Sequence, residues 1–133
     1  MYALLLLAAS PPRVLVPDRP TIPVHDVALL DGCPDDQIAF TIGAIADTIA
    51  TGAPLYNTGD HAACYRLYLG AATDIGHRLT HCPAVEQALL AGVNRAVALP
   101  RYTDGAWALR DAFDGLIYVF ERKLANAHQP SGK

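Results

Sequence analysis

Residues 52–68 read GAPLYNTGDHAACYRLY, and they limit the fold more tightly than any other stretch of the chain. Gly52 suits the left-handed backbone that closes a helix, and Pro54 lacks the N–H that a continuing helix would need. Asn57, Thr58, Gly59 and Asp60 then form a turn sequence ending in a helix N-cap, where the Asp60 carboxylate accepts the first free amide hydrogens. Beyond it, Cys64, Leu67, Tyr68, Ala71, Ile75 and Leu79 recur at helical spacing. The stretch predicts two helices joined by a tight turn, with the first closing at Gly52.

The same residues carry a resemblance. Gly52, then Gly59-Asp60-His61, Cys64, Tyr68 and Ala71 resemble the spacing of a tetratricopeptide (TPR) helical hairpin over residues 45–78. In that family a small residue sits in the first helix and Gly-Asp-Tyr or a similar triplet opens the second. A small residue, an aromatic and an alanine then follow, at the offsets held here by Cys64, Tyr68 and Ala71. The resemblance implies a TPR-like hairpin able to stack on neighbouring helices.

Three further segments complete an all-α reading. Helix 1 follows Gly32-Cys33-Pro34, with Pro34 at the first helical position and Asp35 and Asp36 at the positive end of the dipole. Ile38, Ile42, Ile45 and Ile49 form its apolar stripe. Helix 3 opens the same way at Cys82-Pro83, carries Val85, Leu89 and Val93, and ends before Pro100. Helix 4 takes Thr103 or Asp104 as its cap and bears Leu109, Phe113, Leu116, Ile117, Phe120 and Leu124, the strongest amphipathic pattern in the chain. Short connections predict four antiparallel helices, up-down-up-down, as a TPR-like stack or a four-helix bundle. The helical domain covers residues 33–126, with a frayed tail at 127–133. With 52% apolar and 17% charged residues, a chain of 133 residues can bury a core of this size as one domain.

The remainder is an amino-terminal extension. MYALLLLAAS, residues 1–10, has the apolar run and small residues of a secretory signal, with cleavage expected around Ala9 or Ser10. The run is too short to cross a bilayer, so no transmembrane segment is expected there. This predicts an exported protein, periplasmic or secreted; retention of the segment would mean a cytoplasmic one. Residues 11–32 form a proline-rich extended segment, a linker or a strap laid across the domain, in which residues 24–30 read as a short strand or a packed loop.

Chemistry is sparse. The net charge is -3 and the ten Lys and Arg residues form no basic stripe, which argues against nucleic-acid binding. His61 and Cys64, three apart, share a helix face as a nucleophile and base would, yet no third orienting group accompanies them. Asp111 and Asp114 with Arg110 read as a solvated face of ion pairs rather than an acid–base pair. No phosphate-binding glycine loop, nucleophile elbow or HExxH occurs. The sequence therefore predicts a non-catalytic helical domain without a cofactor, recognising a protein or a small ligand. The alternative is a metal or redox domain using His77 and His81, four apart, together with Cys82 and Cys33.

Helix geometry also sorts the cysteines. A helix of about 20 residues is about 30 Å long, so Cys64 near its start cannot reach Cys82 beyond its end. Helices 1 and 3 start at the same end of an up-down stack, which predicts a Cys33–Cys82 disulfide with Cys64 free and buried. A TPR-like stack makes those helices neighbours, whereas a square bundle places them on a diagonal. The opposite end collects the 52–60 turn and the starts of helices 2 and 4, and so brings Tyr56, Asn57 and His61 towards Arg101, Tyr102, Trp107 and Arg110. Tyr, Trp and Arg are the usual anchors of interfaces, so this end is the expected recognition surface. Simple plugging of the core end is the competing role for Trp107 and Tyr56.

Overall fold

The computed structural model describes residues 22–127. The expected signal segment, residues 11–21 of the proline-rich segment and the tail from 128 onward lie outside the described residues. Four α-helices follow one another: α1 Asp35–Asn57, α2 His61–Arg78, α3 Pro83–Val97 and α4 Tyr102–Ala127. Ahead of them, Val27–Leu30 is a short 3-10 turn, where sequence reading expected a strand or loop; the Asp26 carboxylate accepts the Ala28 amide at its start. Among the described residues there is no strand, and the fold is all-α.

The first helix does not end where the sequence predicts. It runs through Gly52 and Pro54 to Asn57. Pro54 falls in the last turn on an exposed surface, where water can satisfy the carbonyl that loses its partner. The closing glycine is Gly59, with φ +96°. Its amide donates to the Tyr56 carbonyl at 3.0 Å, and the Asp60 amide to Leu55 at 2.9 Å. That pair of bonds is the Schellman termination, which leaves Asp60 free to cap α2 by accepting from Ala63 at 3.2 Å.

Gly52 serves packing instead. It is buried, and a Cβ there would stand inside the contact distance of the Tyr68 ring, which is itself only 2% exposed. Two further close approaches follow the same logic. At Gly92 an added Cβ would meet that of Ala112 at 2.6 Å, bringing α3 onto α4, and Gly105 lies under the Tyr65 ring, bringing α4 onto α2. The core between them holds Ile38, Ile45, Ile75, Leu89, Leu109, Phe113, Leu116 and Val119. Helix α2 packs against each of the other three, and α3 lies along α4.

The other boundary shifts are small. Pro34 is the N-cap of α1 rather than its first residue: its backbone is extended, with ψ 146°, while its carbonyl already accepts the Ile38 amide at 3.0 Å. Helix α4 begins one to two residues before the expected cap: the Arg101 carbonyl takes the Gly105 amide, and the Arg101 side chain pairs with Asp104 at 2.9 Å. Leu124, expected in the stripe, is 44% exposed because α4 has run past the core by then. Helix α1 is also long and apolar enough to cross a membrane by length and composition, although it buries Ile38, Thr41, Ile45 and Gly52 within this domain.

At one end, Cys33 and Cys82 are joined by a disulfide, their Cα atoms 4.6 Å apart. Gln37 reinforces the junction. Its amide donates to Thr80 Oγ1 at 2.8 Å, and its Oε1 accepts the Thr80 and His81 amides at 3.2 Å each. The start of α1 is thus fastened to the α2–α3 connection.

Two stability experiments test this construction. Replacing Gly52 by Ala should destabilise the protein: overpacking against a buried ring costs about 1–3 kcal/mol, more than the roughly 0.5–1 kcal/mol that alanine gains in a helix. The disulfide closes a loop with a sequence separation of 49 residues. Cys33→Ser with Cys82→Ser should cost about 2–4 kcal/mol. Urea unfolding measures both; a stabilised Gly52→Ala variant would mean that the Tyr68 ring can yield.

Candidate binding site

The end opposite the disulfide is built by three helix termini. The last turn of α1 brings Ala53, Tyr56 and Asn57, the first turns of α2 bring Cys64 and Tyr68, and α4 brings Ala106, Trp107 and Arg110. They surround a cavity of about 40 Å³. A water molecule needs about 10–15 Å³ by the same measure, so the space holds a few waters or the tip of one inserted group.

Its rim is aromatic. The Trp107 indole N–H donates to the Tyr56 hydroxyl at 3.0 Å, with the rings edge to face at 5.7 Å between centroids. His61 also lies against Tyr56, the rings tilted by 46° with their centroids 4.3 Å apart. The floor is polar. Arg110 Nε donates to Asp114 Oδ1 at 3.1 Å, and both side chains are largely shielded, at 30% and 15% exposure. The Tyr68 hydroxyl lies beside the Arg110 guanidinium and faces the Cys64 thiol.

Burial governs the ionisation of this floor. It pushes the Tyr68 hydroxyl up to about 12, with Cys64 adding to the shift and Arg110 opposing it. Burial likewise raises the Cys64 thiol, against smaller pulls from Tyr68 and Arg110. For Arg110 burial works downward, but Asp114 and Tyr68 outweigh it and the guanidinium is held charged more firmly than usual. The thiol is therefore protonated and shielded at neutral pH, which is the opposite of an activated nucleophile.

Of the residues expected at this surface, Tyr56, Asn57, Trp107 and Arg110 line the cavity, and His61 joins them through Tyr56. Tyr102 does not join them. It lies 49% exposed beside Tyr65, at 5.4 Å between rings, and beneath the Arg66 guanidinium at 5.2 Å. Five helical residues turn Tyr102 about 140° away from Trp107 around α4. Sequence reasoning missed Tyr68 and Cys64 as lining groups by assigning both wholly to the core stripe. It also misread Asp111, which is 3% exposed and no part of a solvated face; only Asp114 pairs with Arg110, one helical turn on.

The metal alternative fares differently. Cys33 and Cys82 are bonded to each other, which occupies both sulfur donors of that set. His77 is exposed, and the His81 ring is engaged by Thr80 at 2.9 Å. Among the described residues no three His, Cys, Asp or Glu side chains form a group suited to a metal ion. Comparison with family models, with curated proteins and with solved structures finds no match to this chain.

The buried phenol makes a pH prediction. A group whose folded pKa is raised contributes stability that is complete below its unfolded value and is lost as pH climbs through the folded one. Stability attributable to Tyr68 should thus hold up to about pH 10 and fall away towards pH 12. Ultraviolet titration of the wild type against Tyr68→Phe isolates its ionisation; a phenol titrating near 10 would mean the floor is open to water.

Proposed function

We infer that this chain is a small, non-catalytic helical binding domain whose recognition site is the aromatic cavity between the α1–α2 turn and the start of α4. The observation that carries the reading is the combination at that cavity: a Tyr56–Trp107–His61 rim over an Arg110–Asp114 pair that neutralises itself. Aromatic rings with polar edges offer much contact area for little entropy loss, and a self-compensated charge pair provides orientation without demanding a charged ligand. The cavity admits one protruding group of a protein or a small ligand. Burial raises the Cys64 thiol, which keeps it protonated and argues against its acting as a nucleophile.

Two further parts of the reading rest on separate support. Export fits the Cys33–Cys82 disulfide, because such bonds persist in oxidising compartments. The TPR-like character of the hairpin is supported by Gly52, a small residue of α1 that lets the Tyr68 ring of α2 lie against its backbone.

Alanine at Trp107 and at Tyr56, tested separately, distinguishes recognition from packing. The expected outcome is loss of capture of the partner that co-purifies from the native host, with little change in melting temperature. A stability loss of about 3–5 kcal/mol would instead assign the two rings to the core.

A further inference from the structure

Ahead of the 3-10 turn, residues 23–26 lie as a short strap across α4. Gly115 is buried beneath it: an added Cβ there would stand 2.8 Å from the Pro23 carbonyl oxygen and 3.4 Å from His25 Nε2. About two turns later on the helix, the Arg122 guanidinium donates to the His25 carbonyl. His25 therefore meets α4 through both its ring and its backbone. The missing β-carbon at 115 is what lets the imidazole approach so closely, and the ring is half-buried as a result. Downstream the strap is tied to the domain by Leu30, the buried residue of the turn, and then by the disulfide at Cys33.

A proton on that ring is poorly accommodated. From α4 the strap meets Arg122, and on the same helix face stand Tyr118, a phenol, and Asp111, which is buried one turn before Gly115. Within the strap, Asp26 turns its carboxylate to the Ala28 amide. Helices α3 and α1 reach the 3-10 turn through Val85 and through Ile38, Thr41 and Ile42, which share a small cleft with Leu30 and do not ionise. Burial first, and then the Arg122 charge, hold the His25 imidazole below its ordinary range. The docked ring thus prefers to be neutral. Its contribution to docking is complete above the free-histidine value of about 6.5 and is lost as pH falls from there through the lowered value of the docked state.

We propose that residues 23–26 are an acid-released strap: with His25 neutral they lie across α4 at Gly115, and protonation of that ring frees them while the four helices stay folded. The helices survive because the segment from 22 to 30 contributes only Leu30 to the buried core, and Leu30 lies beyond the strap. Release bares the α4 surface at Gly115 and parts Arg122 from the His25 carbonyl. In an acidic compartment α4 therefore presents an open face that is covered at neutral pH. This device does not depend on what the cavity binds.

Nuclear magnetic resonance of the full chain from neutral to acid pH tests it. His25→Phe keeps a ring over Gly115 that cannot take a proton, and its missing signal identifies the His25 ring among the five histidines. In the wild type that ring should titrate with a midpoint below about 6.5. As it does so, its cross-peaks to the Gly115 α-protons should fade and the Gly115 amide resonance should move, with helical circular dichroism unchanged. Each unit by which the midpoint lies below that of free histidine corresponds to about a tenfold loss of docked over released strap in acid. Arg122→Gln should move the midpoint upward, and His25→Phe should leave the Gly115 amide resonance in place across the same range. A midpoint at or above that of free histidine, or cross-peaks that persist once the ring is protonated, would overturn the proposal. So would an unchanged acid shift of Gly115 in His25→Phe, since that would assign the change to another group.

Discussion

The absence of one β-carbon sets the geometry on which the rest depends. Because residue 52 is glycine, the backbone of α1 can lie against the Tyr68 ring, and that ring can lie down between helices. From there Tyr68 meets Phe113 of α4 edge to face, 5.5 Å between centroids. A single aromatic thereby couples three helices, with its apolar body in the core and its hydroxyl at the floor of the cavity. Any larger side chain at 52 would lift α1 away and change both at once. Packing and site are here the same contact seen from two sides.

The two ends of the domain are held by different means. At the Cys33 end the attachment is covalent and is seconded by Gln37, whose side chain satisfies two amides of the α2–α3 connection. At the other end no such bond ties α1 to α4; the Trp107–Tyr56 hydrogen bond and ring contacts do. A neutral hydrogen bond contributes about 1 kcal/mol and an aromatic pair about 0.5–1.5, against several for a disulfide. On the proposed binding role, the fastened end would hold the helices in register while the aromatic end accommodates an inserted group. Such a division suits binding, since side chains at a recognition surface must shift without unfolding what carries them.

The sequence was legible where a single physical rule applied. Helix starts at Asp35, His61 and Pro83 follow from capping and the rigid proline angle, and the Cys33–Cys82 pairing follows from helix length and direction. It was misleading where two rules competed for one residue. Gly52 fits both a helix terminus and a close helix crossing, and Gly59 seven residues later was better placed to terminate. Choosing between them requires knowing what faces Gly52, which is a tertiary fact. Asp111 shows the same difficulty. Its neighbours Arg110 and Asp114 pair along the helix as local spacing suggests, but 100° of rotation carries Asp111 onto a covered face. Tyr102 and Trp107 were grouped by proximity in sequence and separated by that same rotation.

What the cavity can do follows from how its charges are disposed. Arg110 would be a strong anion site were it unopposed, yet Asp114 lies on it at 3.1 Å and the Tyr68 hydroxyl stands beside it. An anionic ligand would have to share the guanidinium with a carboxylate already in place, and a cationic one would face the guanidinium itself. Neither charge sign is favoured by the floor, while the rim of Tyr56, Trp107 and His61 favours flat, apolar or weakly polar groups. Selectivity at such a site comes from shape and from the Tyr and Trp polar edges rather than from net charge. A small apolar side chain or ring presented from an extended segment meets those conditions with the least desolvation cost, because it asks no buried polar group to give up a partner.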